Sequence, residues 1–351
     1  MTGPQLRVGI DVSPLALTRA GTARYLSNLL AALEPEDSLE LRRYRFGGNG
    51  RVVKLIRDVA WYPAALPLLA RRDRLAVLHC PALRAPFRTS LPLVVTIHDL
   101  APIRHPASFN AWNRRYTAFA LPRVARAANA VIVGSNFARD EVVGVLGVDA
   151  RRVKTIPYGV APVFGNNGAA ADGDYVLAVS TLEPRKNLPR LLEAFGRARL
   201  DGCELRVVGA RGWGRIHVTG ERVRWLGEVS DEELARQYRG ARCVAYVSLY
   251  EGFGLPVLEA MACGAAVVAP AGPPFSEFAA GVAVEVDPYD CDSIAAGLEN
   301  AVGRRDALGQ LGPERAARFD WARAAQQTLE VYRAVAGSDS PSGATRRSFG
   351  R

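Results

Sequence analysis

The sequence predicts an α/β protein made of two doubly wound units facing each other across a cleft. Three observations carry that prediction. Short apolar, β-branched runs alternate with helical patterns along nearly the whole chain, as parallel sheets with helical crossovers require. The alternation breaks once, at the loose stretch G-N-N-G-A-A-A-D-G (Gly165–Gly173), and then restarts. At 351 residues the chain is long enough for two full cores.

In the first unit the runs Leu6–Asp11, Leu39–Phe46, Ala76–Cys80, Pro92–His98, Ala130–Ser135 and Val153–Pro157 read as strands, with helical patterns at Thr22–Leu33 and Asn110–Ala128. The second unit opens with strands at Tyr175–Ser180, Leu205–Gly209 and Val223–Gly227. Ser230 and Glu233 form a capping-box signature before a helix over Asp231–Gly240. Cys243–Leu249 and Ala266–Pro270 complete the expected strands. Near the end, Phe319–Arg333 has the pattern of an amphipathic helix. The predicted extents are 1–165 with a closing helix at 319–335, 173–318, and a disordered Ser-, Gly- and Arg-containing tail at 337–351.

An apolar content of 49% and a charged content of 23% are those of an ordinary globular protein. No secretory leader is read at Met1–Gln5. The longest near-apolar stretch, Val59–Ala70, is too short to span a bilayer and contains Pro63 and Pro67. Five scattered cysteines (Cys80, Cys203, Cys243, Cys263, Cys291) argue for reduced thiols and a cytoplasmic location. The net charge of +10 suits anionic substrates or an anionic membrane surface. Nucleic acid is not an expected partner, because no helix-turn-helix, zinc finger or basic-aromatic platform is present.

The run Y-E-G-F-G-L-P-V-L-E-A-M-A-C-G (Tyr250–Gly264) is the most informative in the chain. It sets Glu251 in a loop beyond a strand's carboxyl end, where open α/β sheets bind ligands. Glu259 follows about one turn into a helix that Pro256 opens and Gly264 closes. Gly252 and Gly254 leave the backbone bare beside the helix start, and with Phe253 and Leu255 they are expected to bind the donor. Two carboxylates and bare backbone donors suit a nucleotide sugar, whose hydroxyls donate and whose diphosphate accepts. The run resembles the donor signature of glycosyltransferase family 4, retaining enzymes of the GT-B fold. The resemblance extends to about Tyr332. It implies that Glu251 contacts the transferred sugar, that Glu259 contacts the nucleotide ribose, and that the closing helix crosses back onto the first unit.

Ser180–Asn187 (S-T-L-E-P-R-K-N) joins a buried strand to a helix, with Asn187 a candidate cap. Arg185 and Lys186 therefore lie beside a helix N-terminus, an anion site. A fixed cation there would stabilise charge growing on a leaving diphosphate. Similar wording in the family leaves open whether Arg185 or only Lys186 touches phosphate, and favours GDP-mannose as donor. V-V-T-I-H-D-L (Val94–Leu100) places His98 and Asp99 at a strand's carboxyl end. The resemblance implies a histidine beside the transferred sugar, while Asp99 reads as a base, a histidine partner or a cap. Gly21, opening a helix after the first strand, permits approach of phosphate or acceptor. Asp290-Cys291-Asp292 matches a metal-binding D-x-D, but it precedes a helix at Ile294–Val302 and reads as a cap. No metal and no cofactor are expected.

These features point to a glycosyltransferase moving a hexose from a nucleoside diphosphate sugar to a glycan or lipid-linked hydroxyl, with retention. A nucleotide-sugar epimerase on the same fold, or a non-catalytic sugar-nucleotide-binding protein, are the alternatives. A phosphorylase is disfavoured by the lack of a pyridoxal-phosphate lysine context. Lys54, Arg57, Arg71, Arg72 and Arg74 flank Trp61, Tyr62, Leu66, Leu68 and Leu69. They read either as a peripheral face for the inner surface of an anionic membrane or as a core helix with a basic wet side. Pro63 and Pro67 argue against one long helix there.

Overall fold

The structure, a computed structural model, describes residues 5–17, 21–48, 50–109, 111–212 and 218–338. Twelve described strands form two six-stranded sheets, and every described pairing is parallel. The first sheet holds β1 (Leu6–Asp11), β2 (Leu39–Tyr44), β3 (Val77–Cys80), β4 (Leu93–Thr96), β5 (Ala130–Val133) and β6 (Val153–Thr155), in the order β2-β1-β3-β4-β5-β6. The second holds β7 (Tyr175–Val179), β8 (Glu204–Val208), β9 (Val223–Gly227), β10 (Cys243–Ala245), β11 (Val267–Pro270) and β12 (Val284–Val286), in the order β12-β11-β10-β7-β8-β9. The second order is that of a dinucleotide-binding sheet, reversing between β7 and β10. Central strands such as β4 and β5 are buried along their whole length, which explains why they read as continuous apolar runs rather than alternating ones.

All eleven expected strands form. The twelfth, β12, is a three-residue edge strand whose Glu285 is exposed, too short and too polar in its centre to register as an apolar run. β10 pairs only over Cys243–Ala245, and the expected continuation to Leu249 leaves the ladder. Its Leu249 N–H bonds instead to the Arg185 carbonyl. The Arg51–Arg72 segment is helical throughout despite Pro63 and Pro67. Its middle, Arg57–Ala65, widens to a π-helix around Pro63, and Pro67 falls in the first turn of Leu66–Arg72. The wider turn relieves the clash that proline makes in an α-helix. Trp61, Tyr62 and Leu66 are buried, and Arg57 is buried beside Asp58. The large apolar side chains exposed on this segment include Val52, Leu55, Ile56, Val59 and Leu68.

The Gly165–Gly173 stretch carries no helix or strand but is tied down. Arg239 donates to the Gly165 and Ala169 carbonyls, and Ala171 is buried. The closing helix runs Trp321–Ser338 and packs on the Gly21–Leu33 helix and β3. It begins where the Val160 N–H meets the Phe319 carbonyl at 3.0 Å. Gly337 and Ser338, expected in the tail, are still helical, and the rest of that tail lies outside the described residues. No described helix is long and apolar enough to cross a membrane.

A buried chain of polar groups locks the closing helix to the first sheet. His79 on β3 bonds Tyr332 at 2.7 Å through Nδ1 and Thr96 at 2.8 Å through Nε2, and Thr96 in turn meets the Tyr25 hydroxyl. Burial lowers the His79 pKa to about 3, so the ring is neutral. A histidine whose folded pKa lies below its unfolded value stabilises fully above about 6.5 and progressively less as pH falls toward 3. Urea unfolding between pH 6 and 4 should therefore fall by about 1.4 kcal/mol per pH unit more steeply in the wild type than in His79→Gln. Parallel profiles would mean that His79 does not supply that proton.

Candidate active site

In a sheet that reverses direction between two strands, the loops after those strands diverge and leave a crevice at the carboxyl edge. Here the loop after β7 is Ser180–Asn187, and the loop after β10 carries Tyr246, Ser248 and Glu251. The two loops meet. One oxygen of Glu251, Oε1, accepts from Lys186 Nζ at 2.5 Å, Ser248 Oγ at 2.7 Å and Tyr246 Oη at 3.0 Å. It also lies 3.1 Å from a terminal nitrogen of Arg185. Among the described residues no donor is bonded to Oε2. Arg185 further donates to the Tyr250 carbonyl at 3.0 Å and pairs with buried Glu183 at 3.0 Å. The cluster thus balances two cations against two carboxylates, and Glu183 Oε2 and Arg185 Nε lack partners among the described residues.

Burial alone would raise the Glu251 carboxyl, but Arg185 and Lys186 overcome it and hold the pKa at about 2. Burial lowers Lys186, with Glu251 opposing. At any working pH Glu251 is a fixed anion that accepts hydrogen bonds and donates no proton.

Glu259 sits differently. Its helix, Leu255–Ala262, starts after Gly254, whose φ of +106° suits glycine and where a Cβ would sit 2.6 Å from the Phe275 ring. The helix ends in a Schellman motif: Gly264, at φ +74°, donates to Met261 and Ala265 donates to Ala260, both at 3.0 Å. The Glu259 carboxylate lies 3.1 Å from a terminal nitrogen of Arg24 through Oε1 and accepts from Tyr238 Oη at 3.4 Å through Oε2. Burial pushes its pKa up to about 7 against the pull of Arg24, with Asp231 adding to the rise.

The other expected site residues are brought to the same seam in structural settings. His98 donates from Nε2 to the Pro81 carbonyl at 3.1 Å and accepts from Tyr158 at Nδ1 at 2.8 Å, so both ring nitrogens are engaged. Burial lowers its pKa and keeps it neutral. Asp99 accepts from the Ala101 N–H at 2.9 Å across a turn, one residue ahead of the Leu100 N-cap, so it is not the cap of that helix. A Cβ on Gly252 would sit 1.7 Å from the His98 carbonyl oxygen, and Ser135 donates to the Gly252 carbonyl at 2.6 Å. Gly252 is bare because the first half packs against it. Phe253 stacks on Phe278 and meets Tyr158, and Leu255 is buried. Gly21 is exposed, with open space where a side chain would project.

Asn187 adopts φ +60° before its helix but makes no side-chain cap bond. Its amide instead ties Val247 to Pro288. Ser230 caps the Asp231–Gly240 helix through the Glu233 N–H, while Glu233 pairs onward with Arg236 and Gln237 and leaves the box half-formed. Asp290 caps the Cys291–Gly303 helix, and Asp292 pairs with Arg197. Among the described residues no group of three His, Cys, Asp or Glu side chains is placed to hold a metal ion. A cavity of about 260 Å³ lined by Arg151, Arg152 and Lys154 lies at the start of β5, the edge opposite the cluster.

Tyr246, Ser248 and Arg24 were missed as site residues. The first two alternate along C-V-A-Y-V-S-L at the polar end of an apolar strand, and that alternation is a usable signal. Arg24 has none, since its partner stands 235 positions away.

Two parallel six-stranded sheets meeting at their carboxyl edges, with a closing helix returned to the first, define a GT-B glycosyltransferase fold. A solved sucrose-phosphate synthase from Thermosynechococcus elongatus matches 95% of this chain and all of its own at a TM-score of 0.76 and 20% identity. Anabaena HepE in complex with UDP-glucose matches 94% of this chain and all of its own at 0.71 and 17% identity. Residues 9–163 match the family described as Glycosyltransferase Family 4, and residues 163–315 match Glycosyl transferases group 1. The O-antigen chain mannosyltransferase B of Escherichia coli is 31% identical over 73% of this chain and 74% of its own length. A D-inositol 3-phosphate glycosyltransferase of Kineococcus radiotolerans is 30% identical over 70% and 67%. The chain belongs to the family 4, group 1 glycosyltransferases and is a glycosyltransferase enzyme.

The two glutamates should respond oppositely to charge removal. Glu251→Gln leaves Arg185 and Lys186 buried with a single carboxylate and should cost about 3 kcal/mol at pH 7 in urea unfolding. Glu259 has a folded pKa above its unfolded value, so its ionisation opposes folding as pH rises from 4.5 through 7. Glu259→Gln should match the wild type near pH 4.5 and exceed it at pH 8. Destabilisation by both substitutions at pH 8 would contradict the assigned environments.

Proposed function

We propose that this glycosyltransferase moves a hexose from a nucleoside diphosphate sugar, GDP-mannose foremost, to a hydroxyl of a glycan or lipid-linked acceptor, with retention of configuration. The observation that carries this reading is the one-sided bonding of Glu251. Its Oε1 is saturated by Lys186, Arg185, Ser248 and Tyr246, and Oε2 remains to accept from a hexose hydroxyl. Lys186 and Arg185 are then within reach of the diphosphate, with no metal required. The likeness to the Escherichia coli mannosyltransferase supports a mannose donor, and the UDP-glucose held by HepE supports a nucleoside diphosphate sugar.

In this reading residues 1–165, with the closing helix, receive the acceptor, and residues 173–318 bind the donor, Glu259 taking the ribose hydroxyls. As the bond from the anomeric carbon to the diphosphate oxygen breaks, Lys186 and Arg185 neutralise the charge left on that oxygen. The same oxygen takes the acceptor's proton while the acceptor oxygen bonds the carbon on the same face. His98 and Asp99 border the sugar position by holding the β4 edge rather than by proton transfer, since the His98 nitrogens are both engaged.

A thermal-shift panel of UDP-, GDP-, dTDP- and ADP-sugars tests the donor. A ligand at ~100 times its Kd adds ~2.7 kcal/mol of stability, and no shift with any of the four would overturn the reading. Turnover should fall on the order of 10²–10³-fold in Lys186→Ala and survive a chelator; near-normal turnover in the variant would remove Lys186 from the chemistry. Exposed Val52, Leu55, Ile56, Val59 and Leu68 beside Lys54 support peripheral contact with an anionic membrane carrying the acceptor. Co-sedimentation should rise with anionic lipid and fall with salt, and no binding at low salt would rule the contact out.

A further inference from the structure

Arg24 projects from the Gly21–Leu33 helix, in the half built on the first sheet, and its charge is spent in the other half. One terminal nitrogen lies 3.1 Å from Glu259 Oε1 and 3.2 Å from Asp231 Oδ1. The guanidinium stands over the Phe164 ring at 4.9 Å, on the segment joining the two halves. That nitrogen is buried and makes no aligned hydrogen bond among the described residues despite its two ion pairs. The geometry assigns Arg24 as the positioning residue for Glu259: it holds the carboxylate aimed for the nucleotide ribose and completes the donor site from the opposite half. This inference rests on the ribose reading of Glu259.

The groups facing Glu259 leave Arg24 no substitute. Asp231 repels the carboxylate, Tyr238 Oη touches Oε2 only distantly, and the Cys263 thiol on the same helix is itself raised by burial and by Glu259. Arg24 is the one cation acting on this carboxylate among the described residues. Without it the buried carboxyl would hold its proton further into the neutral range. A protonated carboxyl loses the charge assistance that makes it a strong acceptor for two vicinal hydroxyls. The unsatisfied Arg24 N–H is also a donor that a nucleotide oxygen can use, because a buried donor left unpaired is costly.

Calorimetric titration with GDP and UDP tests the assignment in wild type, Arg24→Ala, Arg24→Lys, Glu259→Ala and the Arg24→Ala/Glu259→Ala pair, each checked for a cooperative melt. Affinity for the preferred nucleotide should fall about tenfold in Arg24→Ala at pH 7, the size typical of coupling between contacting groups. Arg24→Lys should retain most of the affinity, and the double variant should be no weaker than Glu259→Ala alone. Raising the pH to 8.5 should recover part of the loss in Arg24→Ala but none in Glu259→Ala, a shift that a merely structural role would not produce. Unchanged or tighter binding in Arg24→Ala, with Glu259→Ala impaired, overturns the inference and leaves the ribose reading intact. Losses that add fully in the double variant overturn it too. Unchanged affinity in Glu259→Ala overturns the ribose reading and the inference with it.

Discussion

Parallel pairing is the constraint on which everything else in this protein depends. A strand can join a parallel neighbour only through a crossover, so each sheet gathers all its strand-to-helix loops along one edge. With two such sheets set edge toward edge, the chain's polar loop residues are forced into one seam. There the burial supplied by each half acts on the charges of the other. This enclosure lowers Lys186 and raises Glu259, while Glu251 and Arg24 are shifted against it by the opposite charges packed beside them.

Within the seam, two carboxylates of the same residue type are given opposite character by their neighbours. Glu251 is surrounded by cations and hydroxyls and stays ionised. Glu259 meets one cation and one carboxylate in an otherwise apolar setting and sits near neutrality. A fixed anion is suited to holding a sugar in one pose. In the proposed reading, a carboxylate poised near its pKa suits Glu259 to gaining and releasing the ribose, and its cost in the empty protein would be a stability conceded to that role.

Much of this was legible in the sequence because it is local. Apolar runs gave the strands, and proline and glycine gave the ends of the Leu255–Ala262 helix. The pair Glu251 and Glu259 was visible because a loop and one helical turn fix their relation. What was not legible depends on distance along the chain. His98 looked like a group waiting for substrate until Tyr158 and Pro81 were placed on its two nitrogens. Gly252 looked bare for a ligand, and it is bare for the His98 carbonyl. Helix-breaking prolines at 63 and 67 were absorbed by a widened turn that no local pattern announces.

The chain passes between the halves twice, outward through the segment after Tyr158 and back at Phe319 to Trp321. These two passages touch: the Val160 N–H bonds the Phe319 carbonyl, and Gly159 lies so close to the Trp321 backbone that a Cβ would sit 2.3 Å from its nitrogen. A single tether would let the halves swivel in any direction. Two tethers fastened side by side behave as the spine of a book and leave one easy rotation, about the line they define. The pages meet along contacts such as Glu277 on the Asn136 and Phe137 N–H groups, so any opening about this spine would part that margin first and bring it back in the same register.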